Sequence, residues 1–524
     1  MVQKFHLKIL VINNNSINLM TKKTLILIGF IALKFILHYS LINSSYDLHR
    51  DEYLHLDQAH HLAWGFQSVP PFTSWISYLI LLLGNTFFWV KFFPALFGAL
   101  TIFVVWKAIE ELNGNLFALI LGATCVLFSV LLRLNMLFQP NSYDVFSWTI
   151  MYFILIKYFK TENTKWLFIG ALFFALGFLN KYNIVFLIFG LLPSVLLTTQ
   201  RKIFFKKELY AAALIVFLLV LPNLYWQYNN DFPVIHHLTE LVKTQLVNVN
   251  RIDFLKSQLL FNIGAAFVIF PAFYALLFYK PFKPYRFFFW TIIFTLITFI
   301  YFKAKDYYAI GIYPIYIAFG AVFLGNILQN GWKKYLQLVF IIIPLLFFIP
   351  LYKIAFPNKT PEYIVQHQQS YKKFGLLRWE DGKDHALPQD LADMLGWKEL
   401  AHKVDNVYAG LPNKENTLVL CDNYGQAGAI NYYTQQKIKA VSFNADYINW
   451  FDLRKKYVNL IRIKEKSETN TELQETSPYF VSAKVGGTVT NKYAREFGTT
   501  IYAFKSAKID IVKRIKNEIE NNKK

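Results

Sequence analysis

At 524 residues, 55% of them hydrophobic and only 17% charged, the chain is too apolar for a soluble protein of its length, and its mean hydropathy is +0.32. A formal net charge of +21 would suit nucleic-acid binding, but the cations gather in short loops between apolar runs, as the positive-inside rule predicts. Two cysteines, Cys125 in an apolar run and Cys421 in a polar region, exclude a disulfide framework and a CxxC metal motif.

The chain begins with an Asn-rich stretch, and residues 1–23 read as a cytoplasmic tail or as the product of an upstream start codon, with Met20 the true start. About eleven spans follow by hydropathy, near 24–42, 87–108, 115–133, 143–159, 165–180, 182–198, 209–226, 258–279, 286–302, 307–328 and 335–352. In hydrocarbon every backbone group must be satisfied internally, so these runs are helices and 24–352 is a polytopic α-helical transmembrane domain. With the N-terminus inside, the later inside loops are all basic, for example Arg201, Lys202, Lys206 and Lys207. The odd number of spans then leaves residues 353–524 outside the cell membrane as a soluble domain. Its strand-like Thr417–Asp422, helical Gln426–Tyr433 and late strand Ile501–Phe504 predict an α/β fold.

Four outside positions carry residues suited to chemistry. The first loop, 43–86, holds Asp47, His49, Arg50, Asp51, Glu52, His55, Asp57, His60 and His61 before Pro70-Pro71 and an apolar stretch that predicts an interfacial helix. Neighbouring helical residues project about 100° apart, so Asp51 and Glu52 cannot both aim at one atom; one would act as a base while the other orients a neighbour. A solvated helix face is the simpler reading of these charges. The cluster permits a divalent metal ion, although its spacing matches no metal motif.

Gln139-Pro140-Asn141-Ser142-Tyr143-Asp144 then places a second carboxylate on the same side, where a helix N-cap is the competing role. Lys181-Tyr182, and Lys305 with Tyr307 and Tyr308, add cations and phenols at that surface. Snorkelling lysines are the ordinary explanation, and a phosphate site is the functional one. A base, phosphate-binding groups and a lipid-facing cavity suit attack by an acceptor hydroxyl on a sugar carried by a polyprenyl phosphate.

These residues resemble motifs of bacterial members of the dolichyl-phosphate-mannose–protein mannosyltransferase family. Arg50-Asp51-Glu52 with His61-Leu62-Ala63-Trp64-Gly65, Gln139-Pro140 through Asp144, Lys181-Tyr182, and Lys305-Asp306-Tyr307-Tyr308 with Tyr313-Pro314 carry the likeness. So do Arg378-Trp379-Glu380-Asp381-Gly382 and Asn423-Tyr424-Gly425-Gln426 in the soluble region. The resemblance implies the type C glycosyltransferase fold and inverting transfer, with Asp51 as base. It implies supporting roles for Glu52, Asp144, Arg50 and His61, and donor-phosphate contacts at Lys181, Lys305, Tyr307 and Tyr308. It also implies a bacterial inner-membrane location, a polyprenyl-phosphate donor bearing mannose, another hexose or aminoarabinose, and a protein, lipid or envelope-glycan acceptor. A lipid-glycan ligase or polymerase using a diphosphate donor is the second reading, disfavoured by the few arginines in the outside loops. A transporter is the third, disfavoured by the lack of two related halves.

Overall fold

The computed structural model describes residues 22–244, 246–466 and 469–523, so the sequence reading of the first twenty-one residues lies outside the described residues. The helical half begins with α1 (Lys22–Ser40), α2 (Arg50–Asp57), α3 (Phe72–Leu82), α4 (Phe87–Glu111), α5 (Leu116–Leu127), α6 (Val130–Leu134), α7 (Pro140–Thr161) and α8 (Lys165–Asn180). It continues through α9 (Val185–Leu196), α10 (Lys207–Asn229), α11 (Pro233–Thr244), α12 (Arg251–Phe261), α13 (Ala266–Phe278), α14 (Phe287–Tyr301), α15 (Tyr313–Ile327) and α16 (Leu336–Ile354).

This is a mostly helical integral membrane protein. Among the described residues five helices are long and apolar enough to cross a bilayer, and seven if two bent pairs each count as one span. The bends fall between Leu196 and Thr199 and between Phe261 and Ala266. Each of the stretches read as spans lies on a helix or bent pair, except that 115–133 divides into α5 and α6. Ser129 makes that break: it caps α6 by accepting from the Leu131 N–H. The apolar stretch expected to form an interfacial helix is helical, as α3.

Burial sorts the helices. The span containing α15 is 83% buried and forms the centre, whereas the span containing α16 is 6% buried and those of α1 and α10 are 17% buried. Helices apolar all round with so little protein around them face lipid. Close approach at the centre uses small residues: a Cβ on Gly320 of α15 would lie 1.9 Å from the Val268 carbonyl oxygen of α13.

The C-terminal α/β part, read from the sequence as soluble and called the soluble half, contains α17 (Pro361–Gln366), α18 (Gln368–Lys372), α19 (Gln389–Ala392), α20 (Trp397–Ala409), β1 (Thr417–Cys421), α21 (Tyr424–Tyr433), β2 (Ala440–Ser442) and β3 (Asn459–Lys464). It ends with α22 (Thr469–Thr476), β4 (Phe480–Thr488), β5 (Thr500–Ala507) and α23 (Ile511–Lys523). The sheet order is β2-β1-β3-β5-β4, with the first three strands parallel and β5 antiparallel to both β3 and β4. β1 is apolar because both its faces are covered. Asn423 then stops the strand and starts α21, its side chain accepting from the Gln426 N–H.

The two halves share one hydrophobic cluster. Tyr53, Leu54 and Leu56 of α2 and Val90 of α4 pack in it with Trp397 of α20 and Ala427, Ala429 and Ile430 of α21. The soluble half is therefore seated on the first loop, over one end of the bundle.

Candidate functional site

A cavity of about 550 Å³ opens where the first loop, the ends of several membrane helices and the soluble half meet. Its wall includes Arg50 and Asp51 from α2, Arg133 from α6, His237 from α11, and Lys305, Tyr307 and Tyr308 before α15. Glu380, Asp390, Asp393 and Tyr424 come from the soluble half.

Asp51 owes its position to the start of α2. His49 is the N-cap: its imidazole accepts from the Asp51 N–H, while the Glu52 carboxylate accepts from the His49 N–H, completing a capping box. The first turn is thus held from both sides, and consecutive residues point apart. Asp51 is 32% exposed, toward the cavity. Its Oδ1 accepts from the Tyr424 hydroxyl at 2.6 Å and its Oδ2 from Gln139 Nε2 at 2.8 Å. Burial alone would push its carboxyl up. The imidazole of His49, the guanidinium of Arg50 and the Tyr424 hydroxyl outweigh that and hold it below the ordinary aspartate value.

Glu52 turns the other way and does not line the cavity. It is fully buried, and both its oxygens accept from Lys91 Nζ of α4 at 2.7 Å. Its Oε1 also accepts from the Phe138 N–H at 2.7 Å. The carboxylate ties α2 to α4 and to the segment before α7, so its place in this structure is that of an anchor.

Asp144 is not an N-cap. Gln139 holds that position with Pro140 at the first helical residue, and Asp144 lies a turn further in, buried, accepting from Trp148 Nε1 at 3.2 Å and Asn183 Nδ2 at 2.8 Å. It too stands behind the cavity wall. Lys181 Nζ donates to Asn141 Oδ1 at 2.7 Å and sits 4.2 Å from the Tyr308 ring centroid, so it supports the wall from behind. Burial lowers its ammonium pKa to about 8, against the opposing pull of Asp144. Lys305, Tyr307 and Tyr308 do face the cavity, with Lys305 Nζ 3.3 Å from Glu380 Oε1.

His61 lies apart from this group. It stacks on Trp450 with ring centroids 4.3 Å apart, and burial, aided by His60 and Lys439, pushes its pKa down to about 4. Among the described residues no three His, Cys, Asp or Glu side chains converge to hold a metal ion.

Tyr424, Asp393 and Arg133 were not singled out from the sequence. Arg133 had a signal: an arginine within the apolar stretch Val130–Phe138 needs a partner, and it finds Asp390 at 2.7 Å. Asp393, raised by burial, lies 3.7 Å from His49 and 3.3 Å from Arg495. Tyr424 lies in the Asn423-Tyr424-Gly425-Gln426 motif, but only the docking of α21 on α2 brings it to Asp51.

The arrangement is a membrane-embedded fold with a carboxylate, Asp51, sharing one cavity with cations, phenols and further carboxylates. The dolichyl-phosphate-mannose-protein mannosyltransferase family model matches residues 68–226, and this is the family expected from the motifs. The chain is 22% identical over 206 residues to the lipid A galacturonosyltransferase RgtD of Rhizobium johnstonii, and the match covers 37% of this chain and 43% of that protein. It thus spans under half the length of that relative. Its fold is similar to that of ArnT from Cupriavidus metallidurans. Against the structure bound to undecaprenyl phosphate the TM-score is 0.60 at 12% identity, covering 91% of this chain and 97% of the other. Against the apo structure it is 0.60 at 13% identity, covering 92% and 98%.

Proposed function

We propose that this protein is a polyprenyl-phosphate-sugar-dependent glycosyltransferase that moves a sugar to a hydroxyl of a lipid, protein or envelope glycan with inversion. The observation that carries the reading is that Asp51 and the Lys305, Tyr307 and Tyr308 group face one cavity at the end of an apolar bundle. The relatives support it: one is named for transfer of galacturonic acid to lipid A, and a structure of similar fold is described as bound to undecaprenyl phosphate.

In this reading Asp51 takes the acceptor hydroxyl proton as the acceptor oxygen bonds to the anomeric carbon. The bond from that carbon to the phosphate oxygen breaks, and the electron pair leaves with the polyprenyl phosphate. Lys305 and the phenols of Tyr307 and Tyr308 receive the charge that develops on that phosphate. Lys181, behind Tyr308, reinforces the positive potential. The depressed Asp51 pKa keeps the base ionised at neutral pH. The prenyl chain lies along the apolar helices, which accounts for placing the chemistry at a bilayer.

The same reading takes the helical half as the type C fold with about eleven spans. It sets the first loop and the soluble domain, 353–524, on the outer face of a bacterial inner membrane.

Asp51→Asn tests the assignment. Transfer should fall by about 10²-fold or more while the purified variant melts like the parent. Unchanged transfer from a polyprenyl-phosphate sugar would remove Asp51 from the mechanism. A mass-spectrometric comparison of envelope glycans and glycoproteins with and without the gene identifies sugar and acceptor together.

A further inference from the structure

The soluble half contributes a side chain to the proposed base. Tyr424 is the first residue of α21, and its hydroxyl donates to Asp51 Oδ1 at 2.6 Å across the boundary between the two halves. Gln139 occupies Oδ2, so each carboxylate oxygen has one fixed donor and keeps lone-pair capacity toward the cavity. Arg50 lies over the Tyr424 ring, its guanidinium carbon 4.4 Å from the centroid, and its buried Nε has no hydrogen-bond partner. The phenol is therefore held from one side by a cation and from the other by the carboxylate it serves.

The helix that carries Tyr424 cannot shift easily. A Cβ on Gly425 would lie 3.1 Å from Arg50 Cβ, and one on Gly428 would lie 2.7 Å from Tyr53 Cβ. Small residues let α21 lie directly against α2. Further along, the Tyr447 hydroxyl and Asn431 Nδ2 donate to Asp57 Oδ2 at 2.6 and 2.7 Å, and Gln58 Nε2 donates to Asp446 at 2.8 Å. The domain is bonded to α2 along its length, and of α21 it is Tyr424 that reaches the cavity.

We propose that Tyr424 is a positioning residue for the Asp51 base, which makes the base dependent on docking of the soluble domain. This rests on the reading of Asp51 given above. The phenolic hydrogen bond fixes the carboxylate plane and favours its charged form, so the acceptor proton arrives at an oxygen already aimed into the cavity.

The groups facing Asp51 are His49, Arg50 and His55 from its own segment, Tyr424 from α21, Asp393 beside α19, and Tyr307 before α15. Of these, Tyr424→Phe removes only the phenolic hydroxyl. Tyr447→Phe is the matched control: it deletes the same kind of bond, of the same length, from the same domain to α2, away from the cavity.

The experiment measures transfer against pH in detergent for the parent and both variants. Undecaprenyl-phosphate-linked mannose, glucose and aminoarabinose serve in turn as donor, with an envelope lipid and protein extract as acceptor. Tyr424→Phe should lower kcat about 10-fold with KM nearly unchanged and move the acidic limb upward by about one pH unit, as expected when a hydrogen bond to the ionised base is lost. Tyr447→Phe should leave the limb in place. Infrared difference titration of each protein against its Asp51→Asn counterpart reads the same carboxyl midpoint without substrate.

A Tyr424→Phe limb and midpoint that coincide with the parent's overturn the proposal, as does an equal shift in Tyr447→Phe. Activity retained by Asp51→Asn overturns the underlying reading of the base instead.

Discussion

Replacing Glu52 by Gln should destabilise the protein through the charge it leaves behind. In the structure the carboxylate accepts from Lys91 through both oxygens and from the backbone N–H groups of His49 and Phe138. Both Glu52 and Lys91 are completely buried. A glutamine offers a single acceptor oxygen, and whichever way the amide turns, its NH2 faces another donor. It also leaves the Lys91 ammonium without a counter-charge in an apolar bundle. Removing one partner of a buried ion pair costs about 3–5 kcal/mol, so Glu52→Gln should melt several degrees below the parent in detergent and lose activity with its fold.

Lys91→Met alone strands the carboxylate and should be comparably destabilising. The double variant Glu52→Gln, Lys91→Met should lose less than the sum, because the second change removes the stranded charge. Melting curves and transfer rates of the four proteins form the assay. A Glu52→Gln variant that melts like the parent but transfers no sugar would refute the anchor and return Glu52 to the chemistry.

Two further outcomes follow from the same geometry. Lys305→Ala should raise KM for the polyprenyl-phosphate donor about tenfold or more, a loss of the size expected for a charge-assisted contact, and leave acceptor KM nearly unchanged. An unaltered donor KM would assign Lys305 to its ion pair with Glu380 alone. Burial raises the Asp57 carboxyl to about 7 from its ordinary 3.8. The folded state therefore holds a proton that the unfolded chain releases between those values, and stability present at low pH is lost as pH rises toward 7. The parent Tm should fall between pH 5 and 7.5 by more than that of Asp57→Asn. Parallel curves would place the Asp57 pKa near its unfolded value.

Much of the helical half was legible because a bilayer-spanning helix needs only a long apolar run, a local property. The strand at Thr417–Asp422 and the helix at Gln426–Tyr433 were visible for the same reason, although the strand ends one residue earlier, at Cys421, and the Asn423 cap starts the helix at Tyr424. The Asp51 and Glu52 pair was legible as two residues with different aims, since helix geometry alone separates them by about 100°. Which of them faced the cavity was not, because that depends on Lys91, Met136 and Phe138 lying behind α2. The carboxylate at Asp144 shows the same limit: its type and side were readable, but its withdrawal behind the wall depends on Trp148 and Asn183.

By itself, the sequence determined the membrane class, the approximate spans, the family resemblance and the residue types of the site, all of which local pattern encodes. Only the tertiary structure decided that Tyr424, 373 residues from Asp51 in the chain, completes the surroundings of that carboxylate. It also decided that Glu52 is an anchor and that His61 packs on Trp450. Each of these depends on long-range packing between the soluble half and the first loop, and no local periodicity records a contact closed across that distance.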